Sequence, residues 1–252
     1  MDWKKEYANK IVSVEEAVSH VQSGNRIVFT HACGEAQALT EELVRQADRL
    51  ENVEIVHMVA MGKAPYCQPG MEKHFRHNAL FVGGSTRKAV EEGRGDYTPC
   101  FFHEIPKLFT DGTLPVDVAF LQLSEPDENG VCSYGVSVDY TQPAAEAAKL
   151  VIAQINKNMP YTYGNGINLK DIDYIVEKDE PLIELQPPKI GETEHKIGEY
   201  VASLIHDGDT LQLGIGAIPD AVLSFLGDKK DLGIHSEMFS DGVVDLARKG
   251  VI

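Results

Sequence analysis

A glutamate near the end of the chain has the surroundings expected of a catalytic nucleophile. Glu237 follows residues 232–235, an apolar run that predicts a short strand, and small or apolar residues flank it. The glycine-rich segment 213–220 lies one βα unit earlier and follows another predicted strand, residues 211–213. Because the carboxyl ends of parallel strands meet at one edge of a sheet, we expect the glutamate and this turn to converge. A carboxylate that faces main-chain amides matches a nucleophile with an oxyanion stabiliser.

The glycine-rich turn has the features of an oxyanion or phosphate site. Gly214 and Gly216 allow main-chain amides to approach a ligand closely. A helix predicted over residues 220–226 adds N–H donors and partial positive charge at its amino terminus. Pro219 suits the first helical turn, but it occupies the third glycine position of the dinucleotide-binding pattern, which argues against a dinucleotide. The alternatives are a tight packing corner for the turn, and a helix cap or an interface salt bridge for Glu237.

The elements that must position these residues alternate between helix and strand. Ser13 predicts a helix amino terminus, and Glu16 three residues later completes a capping box. Such alternation predicts a parallel sheet covered by helices on both faces, and hence the α/β class. The predicted helices of the first half cover residues 15–22 and 39–50, and the predicted strands cover residues 26–29, 53–59, 79–82, 116–121 and 150–155.

An internal similarity predicts two related lobes. Residues 17–29 match residues 201–213 without gaps, each copy being a helix, a Gly-containing turn and a strand. A chance likeness between αβ hairpins is the alternative. Residues 181–188 carry three prolines and suit an extended linker. We therefore predict an N-terminal lobe over residues 1–186 and the start of a second lobe over residues 187–252. So short a second lobe would expose a sheet edge, and we expect it to lean on the first lobe, another chain or further residues.

The repeat also predicts which other polar residues face the cleft. His31, Cys33 and Glu35 lie in the loop that corresponds to the glycine-rich turn. A Cys–His dyad, or a core thiol beside a loop histidine, would each fit this loop. Residues 85–87 and 93–95 would either position an anion or form a solvated loop. HExxH, Walker and GxSxG motifs are absent from the sequence.

Composition excludes several classes of protein. The formal net charge is -16, from 39 acidic and 23 basic residues, which argues against nucleic-acid binding. The four cysteines are scattered without CxxC or metal-type spacing, so we predict reduced thiols and no metal site. The sequence has no apolar run of signal-peptide or membrane-spanning length. These features predict a cytoplasmic protein that does not bind a membrane.

Six segments of the chain, residues 1–5, 93–95, 101–104, 135–141, 211–222 and 233–246, resemble segments of the acetyl-CoA hydrolase/transferase family. The similarity runs along the whole chain, which looks like about the first three-fifths of a family member. One departure is Glu125, where relatives tend to have proline, and it leaves the nearby pocket contacts open.

The resemblance implies two open α/β/α lobes of the coenzyme A-transferase type, the second incomplete, in a homodimer. It implies that Glu237 forms a glutamyl-coenzyme A thioester. Coenzyme A and acyl-CoA would be substrates, and no cofactor would be bound permanently. His31 and Gln212, which lie in the two corresponding loop regions, are candidate residues of the substrate pocket. The residues that match the family's coenzyme A-binding loop are Gly214, Ile215, Gly216, Ala217 and Ile218.

The expected reaction transfers coenzyme A between acetyl-CoA and a short-chain acid such as 4-hydroxybutyrate or butyrate. The first alternative is an acyl-CoA hydrolase that uses the same glutamate with water as the final acceptor. The second is a non-catalytic truncated chain that acts in ligand binding or assembly. A transferase and a hydrolase would use the same nucleophile and the same loop, so the sequence does not decide between the two reactions.

Overall fold

The computed structural model describes residues 2–252; Met1, which belongs to one of the segments similar to the family, lies outside the described residues. The chain divides into two compact units, one ending at Glu184 and the other covering Leu185–Ile252. No helix within residues 2–252 is both long and apolar enough to cross a membrane.

The first unit is built on a seven-stranded parallel sheet. Its strands and those of a small antiparallel pair are β1 (Arg26–Phe29), β2 (Val53–His57), β3 (Phe75–Ala79), β4 (Gly95–Tyr97), β5 (Val118–Leu123), β6 (Val131–Ser133), β7 (Leu150–Ile155), β8 (Gly166–Asn168) and β9 (Tyr174–Glu177). The order in the large sheet is β4-β3-β2-β1-β5-β7-β9, and β6 pairs with β8. The strand order reverses between β1 and β5, which is where open α/β sheets bind ligands.

Helices cover both faces of this sheet, as predicted for the α/β class. Ile27 and Phe29 of β1 belong to one core cluster, whereas Val28 belongs to another. This alternation follows from the two-residue period of a strand. The helices of the first unit are α1 (Trp3–Glu6), α2 (Val14–Ser19), α3 (Gln37–Arg45), α4 (Arg87–Glu91), α5 (Ile105–Thr110) and α6 (Thr141–Ala147), with 3-10 turns at Ala32–Gly34, Ala47–Arg49, Pro65–Cys67, Phe102–Glu104 and Leu169–Asp171.

For α2 and α3 the predicted starts are closer to the structure than the predicted ends. Ser13 caps α2, and its Oγ accepts a hydrogen bond from the Glu16 amide at 3.0 Å. The helix stops at Ser19 rather than at residue 22. Helix α3 likewise stops at Arg45, because the chain tightens into the 3-10 turn Ala47–Arg49.

One predicted strand was wrong. The apolar run 79–82 only begins where β3 ends, and the strand is Phe75–Ala79. The true strand contains buried polar residues that find partners inside the sheet. Asn78 Nδ2 donates to Glu54 Oε1 at 2.8 Å, and Asn78 Oδ1 accepts from Thr98 Oγ1 at 2.8 Å. Because these bonds offset the cost of burial, a polar sequence forms a central strand here.

The second unit has three helices and two short strands. Its elements are α7 (Glu192–Ala202), β10 (Thr210–Leu211), α8 (Ala217–Ser224), β11 (Gly233–Ile234) and α9 (Asp241–Arg248). Within the described residues, β10 and β11 pair in parallel only with each other. Helix α7 packs closely against α8 at Gly198, where an added Cβ would lie 2.8 Å from the carbonyl carbon of Ala221. The core of this unit consists of apolar residues from both strands, all three helices and the loops between them.

Candidate active site

Glu237 lies just beyond the carboxyl end of β11 and is exposed. Strand β11 pairs in register with β10, with Ile234 opposite Leu211. The glycine-rich segment leaves β10 at the same end of this two-stranded sheet, since both strands run in the same direction. The predicted nucleophile and the predicted amide loop therefore begin side by side.

Ser236 joins the two segments. Its Oγ donates a hydrogen bond to the Leu213 carbonyl at 2.7 Å and accepts one from the Leu213 amide at 3.2 Å. The same Oγ accepts from the Met238 amide at 3.3 Å. Glu237 thus lies between Ser236, which is bonded to Leu213, and Met238, whose amide is bonded to Ser236.

The glycine-rich turn opens directly into α8. Gly216 is the N-cap residue and has φ 123°, a left-handed conformation that favours glycine. The helix begins at Ala217 rather than at residue 220, so Pro219 falls at its third position. Proline is tolerated there because the first-turn amides have no partner within the helix. Gln212 and Gly214, which precede this N-cap, are both exposed.

A cavity of about 630 Å³ lies beside the turn within the second unit. Ile215 and Gly216 form one part of its wall, and Phe239 and Ser240 form another. Its remaining wall comes from the amino-terminal turns of α8 and α9 and from the proline-containing segment that begins at Leu185. A volume of this size lies within the roughly 300–1,000 Å³ range of small-molecule pockets.

His31 belongs to the first unit, in the loop after β1 and next to the point where the strand order reverses. Its Nδ1 lies 2.6 Å from Asp139 Oδ2, and its buried Nε2 has no partner. Asp139 also accepts hydrogen bonds from the Tyr140 amide at 2.6 Å and from Ser137 Oγ at 3.3 Å. These contacts hold the imidazole by its Nδ1 side.

Glu35 of the same loop is buried, whereas the internal similarity predicted that it would face the cleft. Only 2% of it is exposed. Burial raises the pKa of its carboxyl, while hydrogen bonds from Thr40 and the Gly62 amide act in the opposite direction. Burial therefore disfavours the charged form of Glu35 and removes its carboxyl from solvent, and both effects count against a role as nucleophile.

The remaining predicted candidates have structural contacts. Ser85 Oγ donates to the Ala60 carbonyl, and Arg94 pairs with Glu92 at 2.7 Å. No disulfide joins the four cysteines, all of which lie in the described part of the chain. Residues 2–252 contain no group of three His, Cys, Asp or Glu side chains arranged to hold a metal ion.

Three features of these sites escape sequence reasoning. Asp139 is 108 residues from His31, and only the fold brings them together. Ser236 is visible as a small polar neighbour of Glu237, yet its bonds to Leu213 depend on strand register. The cavity depends on how α8 and α9 pack.

The whole chain is similar to several known proteins. The 4-hydroxybutyrate coenzyme A transferase of Clostridium kluyveri is 62% identical over 100% of this chain and 59% of its own length. The butyryl-CoA:acetate CoA-transferase of Anaerostipes caccae is 33% identical over 100% of this chain and 58% of its own. The crystal structure of a 4-hydroxybutyrate CoA-transferase from Porphyromonas gingivalis superposes with a TM-score of 0.86 at 43% identity, covering 100% of this chain and 60% of that one.

The chain thus spans about three-fifths of the length of these relatives. Its α/β architecture is that of the superposed coenzyme A-transferase structure. The model of the acetyl-CoA hydrolase/transferase N-terminal domain matches residues 1–186, which is most of the chain. The chain therefore belongs to the acetyl-CoA hydrolase/transferase family.

Proposed function

We propose that the protein transfers coenzyme A between an acyl-CoA and a short-chain carboxylic acid, with Glu237 as the nucleophile. One arrangement carries the proposal: the exposed Glu237 follows β11 beside the glycine-rich turn that follows β10, and Ser236 ties the two together. One relative is named for 4-hydroxybutyrate and another for exchange between butyryl-CoA and acetate, which supports acetyl-CoA and 4-hydroxybutyrate or butyrate as the pair of substrates.

Four steps at one carboxylate accomplish the transfer. A Glu237 oxygen attacks the acyl-CoA carbonyl and expels the coenzyme A thiolate, which leaves an acyl-glutamyl anhydride. The thiolate then attacks the glutamyl carbonyl and expels the first carboxylic acid as its anion, which leaves glutamyl-coenzyme A. The incoming carboxylate attacks this thioester and expels thiolate. The thiolate finally attacks the new acyl carbonyl, which releases the new acyl-CoA and restores Glu237.

The glycine-rich turn supplies the electrostatic part of this chemistry. Each step passes through a tetrahedral oxyanion, which amide N–H groups stabilise best when they are already in place. Gly214 and Gly216 leave the main chain accessible, and Ala217 and Ile218 begin α8, where amides lack partners within the helix. In this scheme Ile215 and Gln212 border the substrate.

The experiment compares initial rates of acetyl-CoA consumption with 4-hydroxybutyrate, with butyrate and with buffer alone. We expect acid-dependent turnover that Glu237→Ala lowers on the order of 10⁴-fold or more, because the nucleophile is gone. Glu199→Gln, which removes an exposed carboxylate from α7, is the control and should retain the rate. Equal consumption in buffer alone would make the protein a hydrolase instead. Full activity of Glu237→Ala would rule out both reactions at this residue.

Two further properties stay predictions. The resemblance implies a homodimer, and the scattered cysteines predict a cytoplasmic protein.

A further inference from the structure

The first unit has a cavity of its own, of about 490 Å³, between α6, the start of β7 and the antiparallel pair β6–β8. We call it the α6 cavity. Its volume lies within the roughly 300–1,000 Å³ range of small-molecule pockets. Ala145, Val151 and Ile167 contribute buried apolar side chains to its wall. None of the described residues that line it belongs to the predicted active site, so it requires a separate explanation.

The wall of the α6 cavity carries negative charge that the protein does not balance. Glu146, Asp171 and Asp173 are exposed carboxylates of this wall, and Lys149 is the only basic residue among the described residues that line it. The Lys149 ammonium already donates to Asp117 Oδ1 at 2.8 Å. Asp171 makes no hydrogen bond or ion pair with another side chain within residues 2–252. The cavity therefore favours a cation and repels a phosphate or a carboxylate.

The Tyr134 side chain lines the same cavity and lacks a hydrogen-bond partner. Tyr134 is only 2% exposed, and in the described part of the chain its hydroxyl neither donates nor accepts a hydrogen bond. Burial, together with the charges of Glu146 and Asp171, raises the pKa of this phenol, so both wall carboxylates act on the hydroxyl. Buried polar groups without partners are rare in folded proteins. The phenol oxygen therefore indicates a donor that a ligand would supply.

An aliphatic ammonium ion fits this cavity better than a metal ion does. Residues 2–252 contain no three His, Cys, Asp or Glu side chains arranged to hold a metal. The cavity is also much larger than one ion. An ammonium group donates three hydrogen bonds, which carboxylates and a phenol oxygen can accept. A short methylene chain would pack on the apolar side chains of Val151 and Ile167.

We propose that the α6 cavity binds an aliphatic diamine in its doubly protonated form. Its two ammonium groups would donate to the Tyr134 oxygen and to the wall carboxylates Glu146, Asp171 and Asp173. Its methylene chain would lie on the apolar part of the wall. This site is independent of the proposed transfer of coenzyme A, because the diamine is neither an acyl donor nor a carboxylate acceptor.

Titration calorimetry of the 252-residue chain with putrescine tests this site. Butanediol, which has the same length without charge, and succinate, which carries the opposite charge, are the comparison ligands, and we expect only putrescine to bind. Asp171→Asn removes one carboxylate charge and Tyr134→Phe removes the phenol oxygen, so each should raise the Kd of putrescine about tenfold. Glu91→Gln is the matched control, because Glu91 is an exposed carboxylate of α4 that does not line the cavity. Its Kd should stay that of the unaltered chain.

Three results would overturn the diamine site. Putrescine fails to bind the unaltered chain, or it binds Asp171→Asn and Tyr134→Phe as it binds the unaltered chain. In the third result Glu91→Gln weakens binding as much as Asp171→Asn does, which would mean that putrescine follows the net charge of the protein. Circular dichroism checks that each variant is folded. If Tyr134→Phe fails to fold, Asp171→Asn decides the question by itself, since Asp171 is exposed.

Discussion

At the scale of single residues, two glutamates of the predicted site differ in exposure. Glu35 is 2% exposed, and burial raises the pKa of its carboxyl, which disfavours the charged form. Glu237 is exposed at a strand end, next to a turn whose glycines leave amides accessible. A nucleophilic carboxylate must be both charged and reachable. Because it is exposed, Glu237 is the better candidate nucleophile of the two.

A pair of buried histidines predicts acid sensitivity of the first unit. Burial lowers the pKa of His77 to about 4 and holds that of His57 well below its usual range. The unfolded chain, in which histidine titrates near 6.5, binds more protons between these values. The contribution of His77 to stability is therefore present above about pH 6.5 and is lost as the pH falls towards about 4.

Urea unfolding followed by the fluorescence of Trp3, the single tryptophan, measures this effect in the first unit. Between about pH 7.5 and about pH 5 we expect His77 alone to account for about 2 kcal/mol of lost stability. The decline should be smaller by that amount in His77→Gln. His206→Gln removes a histidine whose side chain is 81% exposed and serves as control. Identical declines in His77→Gln and the unaltered protein would contradict the prediction.

At the scale of elements, apolar runs predicted strands where burial alone decides the structure. Residues 26–29 and 150–155 were predicted without error, because both strands are apolar and central. Strand β3 was misplaced, since His77 and Asn78 are buried with partners that a sequence pattern does not reveal. Glu237 was correctly placed after a strand, because the residues before it, like those of β1, form a short apolar run. The bonds that position it require the register of two strands and were not predicted.

Ser236 provides the test at the element scale. Ser236→Ala removes the hydroxyl that joins β11 to the first residue of the glycine-rich segment and leaves the Leu213 amide and carbonyl without that partner. We expect turnover to fall roughly 10- to 100-fold through loss of alignment, with loss of about 1–3 kcal/mol in the stability of the second unit. Steady-state rates and circular dichroism melting measure the two effects.

Ser224→Ala is the matched control for that change. Ser224 Oγ donates to the Ala221 carbonyl within α8, so its loss leaves the link between β10 and β11 intact. Equal effects of the two substitutions on turnover would mean that the Ser236 bonds do not position Glu237.

At the scale of the whole molecule, the two units differ in how well their sheets are supported. Strand β5 pairs with β1 on one side and β7 on the other. Strands β10 and β11 pair only with each other within the described residues. Two-stranded sheets are marginally stable by themselves.

Hydrogen exchange should reveal this difference. We expect amides of β5 to exchange at least about 100-fold more slowly than those of β10 and β11, because local opening costs less where fewer neighbours pair. Exchange followed by mass spectrometry of peptides that cover residues 118–123, 210–211 and 233–234 measures the ratio. Equal protection in all three peptides would contradict the prediction. Slower exchange at β10 and β11 after addition of coenzyme A would indicate that the ligand binds the second unit.

Trapping of the covalent intermediate tests the central role of Glu237 most directly. The protein is incubated with acetyl-CoA, reduced with borohydride, digested and mapped by mass spectrometry. A glutamyl-coenzyme A thioester would be reduced to an alcohol, so we predict this modification at Glu237 and its absence without acetyl-CoA. Modification at a different residue, together with turnover that survives Glu237→Ala, would contradict the assignment of Glu237 as the nucleophile.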